Sequence, residues 1–448
     1  MAAVSAADKL VSINPHDGSI VGEVRVSRPD DVRDAVARAR AAQVGWAALS
    51  FEARAAALTA AGPLLERAAE ELASLAHREM GKPMKDALGE AQGIAKSIER
   101  HVEMARAAVE PVTMREGEQE TTLRHDPLGV IAVITPWNFP LWMPVSLIYP
   151  ALLTGNAVVH KPSEKTPRLG QRLNEILASV LPEGVLMPLV GGGDVGALLV
   201  DSDVEMVAFV GSQDVGRRIM AACAPGLKRL VLELGGKDPM IVLADADLEK
   251  AAQFAARGAF SNAGQVCCSV ERILVAREIE KPFLARLVEL TSAMSIGPMV
   301  DDGQRQKVVA LVDDARRRGA KVLCGGEPSM GQGTHYPPTI LADVTDDMEV
   351  TRREIFGPVA TVRAVSSAEE ALAIANAIPY GLGATVWTSD AARGEAVAGK
   401  LQSGMIGINR GIRGVGDSPW VGARQSGYGF TGNIDGTRQF TQVRTITR

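Results

Sequence analysis

Two adjacent cysteines, Cys267 and Cys268, stand in the stretch FSNAGQVCCS, residues 260–269. Such a pair can be a bridge, part of a metal site, or a nucleophile with a bystander. Adjacent cysteines close a disulfide only through strained geometry. Cys223 and Cys324 add no C-x-x-C spacing, and the six histidines form no paired ligand motif, so no metal is expected. Burial as a small hydrophobe is the ordinary fate of a free cysteine. Here a polar Gly/Asn/Gln turn surrounds the pair, and its donors favour a thiolate nucleophile.

Glu233 follows Leu230-Val231-Leu232 and precedes Leu234-Gly235-Gly236. A carboxyl in such apolar company is partly desolvated, which raises its pKa and suits a general base. The competing reading is a carboxylate paired with a buried cation. Two further sites fall at the ends of apolar runs. Gly211 and Ser212 join MVAFVG to SQDVGRRIMAAC, so a strand meets a helix whose first N–H groups are free for an anion. The spacing is not GxGxxG, and a tight turn alone would explain it. In HKPSEKTP, Lys161 can hold a phosphate or a ribose hydroxyl, and Glu164 can accept from ribose hydroxyls.

The elements that must position these residues alternate. VIAVI (130–134), AVVHK (157–161), MVAFVG (206–211) and RLVLELGG (229–236) read as strands separated by helices. That pattern implies a parallel sheet with helices on both faces and ligands at the carboxyl ends of its strands. A second α/β unit runs from about Lys237 to Ser426. Before the first sheet, the stripe Leu64, Leu65, Ala68, Leu72 and Leu75 predicts one long helix from Ala53 to Met80. The polar stretch VEPVTMREGEQETTLRHDPLG reads as a hairpin standing off the core. The tail TRQFTQVRTITR alternates as a strand that can pair with that hairpin or with another chain.

At 448 residues the chain is too long for one core. With a net charge of −5 and no basic stripe, nucleic acid is not an expected partner. No apolar run spans a bilayer, and the N-terminal stretch lacks a signal peptide's apolar centre. A reducing, cytoplasmic setting is therefore expected.

The motifs together resemble the aldehyde dehydrogenase superfamily, nearly end to end. They are PWNFP (136–140), KPSE (161–164), FVGS (209–212), ELGGK (233–237), FSNAGQVCCSVER (260–272), REIFGPV (353–359) and SGYG (426–429). The resemblance implies an α/β fold. An atypical Rossmann-like cofactor domain (1–108 and 128–235) is joined to an α/β catalytic domain (236–430). A small β oligomerisation arm (109–127 with 431–448) completes it and implies a homodimer or homotetramer. The family pattern G-Q-x-C selects Cys267 as nucleophile. Asn138 and the Cys267 N–H would hold the oxyanion, and Glu233 would activate water against a thioester. Lys161, Ser163 and Glu164 would bind the adenosine ribose. Thr135, Pro136, Trp137, Gly211, Ser212, Val215 and Leu234 would complete the cofactor groove, with Glu354 on the nicotinamide ribose and Phe356 beside the ring.

Two departures from the pattern stand out. Phe430 and Thr431 occupy the place of a glutamate common after SGxG, and WVG (420–422) replaces FGG. The implied substrate pocket draws on Phe139, Trp142, Met143, Ser146, Val266, Cys268 and Trp420. Its apolar walls point to an aliphatic or aromatic aldehyde. Arg410 and Arg413 offer a competing carboxylate clamp for a semialdehyde. A CoA-acylating enzyme and a non-enzymatic scaffold are further alternatives. Glu164 would repel a 2′-phosphate, so NAD is expected in preference to NADP.

Overall fold

The five residues Val130–Ile134 are all apolar and all buried. A strand covered on both faces has this composition. In the structure, a computed structural model describing residues 9–448, it lies inside a six-stranded sheet. The order is Gly427–Tyr428, Arg229–Leu234, Met206–Gly211, Val130–Ile134, Ala157–Lys161, Leu186–Pro188. All neighbours are parallel except the first pair. Register aligns the strand ends: Ile134 lies opposite both Lys161 and Phe209, and Gly211 opposite Leu234. The segments that follow these strands therefore emerge along one edge.

Successive residues of Val130–Ile134 face opposite sides. Ile131 and Val133 pack with Leu65, Leu72, Ile94 and Leu173. Val130, Ala132 and Ile134 pack with Val32, Val36, Leu199 and Ile219. The long helix expected over 53–80 is three helices, Phe51–Thr59, Gly62–Arg67 and Ala69–Met80. Pro63 explains the first break, because it lacks an N–H and its ring excludes a preceding helical turn. The apolar stripe persists through the break, since Leu65, Leu72 and Ala76 all reach the same core.

A second sheet has seven strands, in the order Lys321–Cys324, Thr339–Ala342, Val359–Val365, Val270–Ala276, Asp238–Val242, Gly383–Trp387, Met405–Ile408. Only its first pair is antiparallel. The chain then returns to the first sheet. Gly427–Tyr428, which the resemblance places in the catalytic domain 236–430, adds the edge strand beside Arg229–Leu234 and sets Gly427 opposite Glu233.

Val112–Glu116 and Gln119–Pro127 form an antiparallel hairpin, and Thr441–Thr447 pairs along it from Pro127 to Thr121. Thr437 and Arg438, read as part of that strand, close the short helix Ile434–Arg438 instead. Among the described residues, no helix is long and apolar enough to cross a membrane.

Candidate active site

The helix Leu248–Phe260, capped by the Asp247 carboxylate, delivers the chain to the cysteines. It stops because the next turn winds the wrong way. Asn262, Ala263 and Gly264 have φ of 53°, 54° and 68° in succession. Only the glycine takes this region freely. At Gly264 there is no alternative, since a Cβ would lie 2.1 Å from the Gly357 carbonyl oxygen. Side chains hold the other two in place. Gln265 donates to the Asn262 carbonyl at 3.1 Å and accepts from the Val300 N–H at 2.8 Å. Asn262 donates to the carbonyls of Asn138 and Gln265 at 3.1 and 3.2 Å. Asn138 donates back to the Gln265 carbonyl at 3.0 Å. The PWNFP loop and the cysteine loop are thus laced together. Asn138 keeps one N–H of its amide for another acceptor.

Both Cys267 and Cys268 are free and partly buried. Cys268, burial and the Glu233 carboxylate, in that order, hold the Cys267 thiol well above its ordinary pKa. The expected stabilisation of a thiolate by the turn is not met, because no donor outweighs these three. At neutral pH Cys267 is therefore held as the neutral thiol. Glu233 is 8% exposed, and burial lifts its carboxyl to about 7, against the opposing pull of the Cys267 thiol and the Trp420 indole. Trp420 Nε1 donates to Glu233 Oε1 at 3.3 Å, while Oε2 is buried without a hydrogen-bond partner among the described residues. Glu233 is therefore not the partner of a buried cation, the competing reading of its sequence.

Along the first sheet's edge, Lys161 is buried and donates to the carbonyls of Pro162 and Gly191 at 3.0 and 2.9 Å, leaving one of its three hydrogens unassigned. Glu164 is exposed, 4.0 Å from that ammonium. Ser163 accepts from the Lys165 N–H at 3.2 Å. Thr135 is buried and bonded to His160 at 2.9 Å, so its hydroxyl is already engaged. Gly211 sits where a Cβ would lie 2.4 Å from the Phe209 ring. Ser212 precedes the helix Gln213–Cys223 with its hydroxyl uncommitted to capping. Val215 and Leu234 line the same side of the sheet, with Leu234 packed against Gly216. Pro136 and Trp137 are partly buried, and the Trp137 ring meets Phe356 edge-on at 5.4 Å. Glu354 accepts from the Gly236 N–H at 3.2 Å. A lysine with a spare donor, an exposed carboxylate, a free helix start and a carboxylate over a glycine pair match what a dinucleotide requires.

The proposed pocket residues Phe139, Trp142, Met143, Ser146, Val266, Cys268 and Trp420 are all partly buried. Trp142 and Met143 pack against the first core, and the Trp142 indole fills the gap above Gly93. The Ser146 hydroxyl donates to the Met143 carbonyl at 2.8 Å. Arg410 and Arg413 are exposed.

Three positioning features have no counterpart in the sequence reading. Buried Lys82 pairs with buried Glu90, whose other oxygen accepts from the Leu141 and Trp142 N–H groups at 3.0 and 2.9 Å. Lys82 also lies 4.1 Å over the Phe139 ring. Asn262 is the second feature. The third is Glu271, which pairs with buried Lys237 and accepts from the N–H groups of Ile355 and Phe356 at 3.0 Å. It holds the loop that presents Glu354 and Phe356. Charges inside ELGGK and SVER were the available signal, because a charge in a buried strand needs a partner. Glu271→Ala strands the Lys237 ammonium and is expected to cost about 3–5 kcal/mol. Denaturant midpoints and the NAD dissociation constant check this: both should worsen, and an unchanged midpoint would refute the role.

The Aldehyde dehydrogenase family model matches residues 3–446. Betaine aldehyde dehydrogenase of Cereibacter sphaeroides (strain ATCC 17029 / ATH 2.4.9) is 38% identical over 447 residues, covering 97% of this chain and 92% of that protein. The solved lactaldehyde dehydrogenase from Escherichia coli superposes with a TM-score of 0.95 at 32% identity, over 99% of this chain and 96% of that one. An aldehyde dehydrogenase from Bacillus cereus, solved as an NAD+ complex, gives 0.95 at 33% identity, over 98% and 93%. The chain belongs to the aldehyde dehydrogenase family, and it is an oxidoreductase that oxidises aldehydes with NAD or NADP as acceptor.

Proposed function

We propose that the protein oxidises a neutral, mostly apolar aldehyde to the carboxylic acid through a thioester on Cys267, with NAD preferred. The observation that carries this is the neutral Cys267 thiol set against a buried carboxyl, Glu233, whose pKa is lifted to about 7. Above about pH 7 Glu233 is ionised and can accept a proton. Glu233 takes the thiol proton, and sulfur attacks the aldehyde carbon. The remaining Asn138 N–H and the Cys267 backbone N–H stabilise the oxyanion of the adduct. NAD, when bound by Lys161, Ser163, Glu164, Glu354 and the groove residues, supplies the hydride acceptor. Glu233, having released its proton to solvent, draws a proton from water. The hydroxide adds to the thioester, the C–S bond breaks, and the Cys267 thiolate leaves.

The relatives' name favours a second reading, a cationic aldehyde held by aromatic rings. The Lys82 ammonium already occupies one side of Phe139, which weakens that ring as a cation site. The exposed Arg410 and Arg413 support no buried carboxylate clamp. The retained Glu233 supports hydrolysis over transfer to CoA. The exposed Val112, Met114, Val443 and Ile446 on the arm support pairing with a second copy, and free thiols suit the cytoplasm.

A panel tests the proposal: a neutral aldehyde, a semialdehyde and a trimethylammonium aldehyde of equal length, each with NAD and with NADP, with and without CoA. The neutral aldehyde should give the highest kcat/KM, NAD should exceed NADP by roughly tenfold, and CoA should change nothing. A preference for either charged aldehyde, or for NADP, would overturn the corresponding part.

A further inference from the structure

The two departures from the family pattern meet at one carboxylate. Trp420–Val421 pairs with Phe430–Thr431, so that Trp420 lies opposite Thr431. Gly427, between these two strands in the chain, lies opposite Glu233. The Trp420 indole then reaches Glu233 Oε1 at 3.3 Å. A phenylalanine would keep the ring and lose this donor. Thr431, 8% exposed, brings no carboxyl to the same strand pair.

Several other groups surround Glu233. Cys267 approaches from the cysteine loop, and Cys268 acts on Cys267 from the same turn. Burial first, and Glu233 in turn, raise the carboxyls of Glu354, in the loop before Val359–Val365, and of Asp238, in the strand Asp238–Val242. Lys237 is committed to Glu271 and Arg272 to backbone carbonyls. Among the described residues, the indole and the thiol are the donors that face Glu233. During thioester hydrolysis the sulfur carries the acyl group and has no proton to donate. The indole N–H is then the donor that remains.

We infer that Trp420 is a positioning residue for the hydrolytic half of the reaction, its indole N–H orienting the Glu233 carboxylate and favouring the ionised form that activates water. This rests on Glu233 being the base proposed above. Trp420 thereby does more than wall the pocket, and its effect is largest in the step after the thioester forms, when the thiol no longer supports Glu233.

The test measures thioester hydrolysis by rapid quench from pH 6 to 9 in the wild type, Trp420→Phe and Glu233→Gln, all with NAD and the neutral aldehyde. In Trp420→Phe the acidic limb should move up by about one pH unit. Hydrolysis should slow roughly fivefold at pH 7 and less than about twofold at pH 9, and thioester formation should slow less than hydrolysis at pH 7. If the limb stays in place in Trp420→Phe while Glu233→Gln loses it, the inference is wrong and Glu233 remains the base. A uniform slowing at every pH, or a change confined to KM, would also overturn it and reduce Trp420 to packing or pocket wall. A limb that persists in Glu233→Gln would remove the base itself, and the inference with it.

Discussion

Cys267→Ala is expected to abolish aldehyde-dependent NADH formation, with a loss on the order of 10⁴-fold or more, whereas Cys268→Ala keeps turnover within about threefold. The asymmetry follows from where the two sulfurs stand. Cys267 interacts with Glu233, which can take its proton, while Cys268 acts on Cys267 and holds its thiol neutral. Removing Cys268 takes away the largest influence raising the Cys267 pKa. Alkylation of Cys267 by iodoacetamide should therefore begin at lower pH in Cys268→Ala than in the wild type. Steady-state rates and the pH profile of alkylation check both parts. Equal loss of turnover in the two variants would show that the nucleophile had been misassigned.

Glu233→Gln is expected to separate the two halves of the reaction. Glutamine keeps the shape and cannot accept a proton. Turnover should fall by roughly 10²- to 10³-fold, the usual worth of a general base. The sign of the pH dependence is fixed by the raised pKa. A carboxyl at about 7 is protonated and inactive as a base below that pH, so wild-type kcat should rise through pH 7 and level above it. In the glutamine variant that rise disappears. A first turnover of NADH should still form at high pH, where hydroxide can ionise the thiol directly, and then stall at the thioester. Stopped-flow absorbance reads both phases, and a variant that turns over at the wild-type rate would refute the role.

Much of this arrangement was legible because parallel strands buried on both faces appear as unbroken apolar runs. Val130–Ile134, Ala157–Lys161 and Met206–Gly211 each end in a polar or glycine-bearing segment, so the sheet edge could be read directly. The candidate site residues came from motifs that sit at those ends. Contacts between distant segments left no such trace. Trp420 and Glu233 are 187 residues apart, and Lys237 and Glu271 are 34 apart, with nothing in either stretch to name its partner. The two-residue strand Gly427–Tyr428 is too short to show a period. Of the three left-handed residues in the cysteine turn, only Gly264 announces itself. Asn262 and Ala263 are forced there by side-chain lacing that exists only in the fold. The neutral state of Cys267 was hidden for the same reason. A polar turn suggests a thiolate, but Cys268, burial and then the Glu233 carboxylate from the other sheet oppose it.

The central claim is a covalent acyl group on one sulfur, cleared by one carboxylate. Glu233→Gln mixed with aldehyde and NAD, quenched in acid and analysed by intact and peptide mass, tests it directly. The protein should gain the mass of the acyl group, with the modification on Cys267 and Cys268 unmodified, while the wild type shows little. An acyl group on Cys268, or no covalent species in a variant that has formed NADH, would contradict the account.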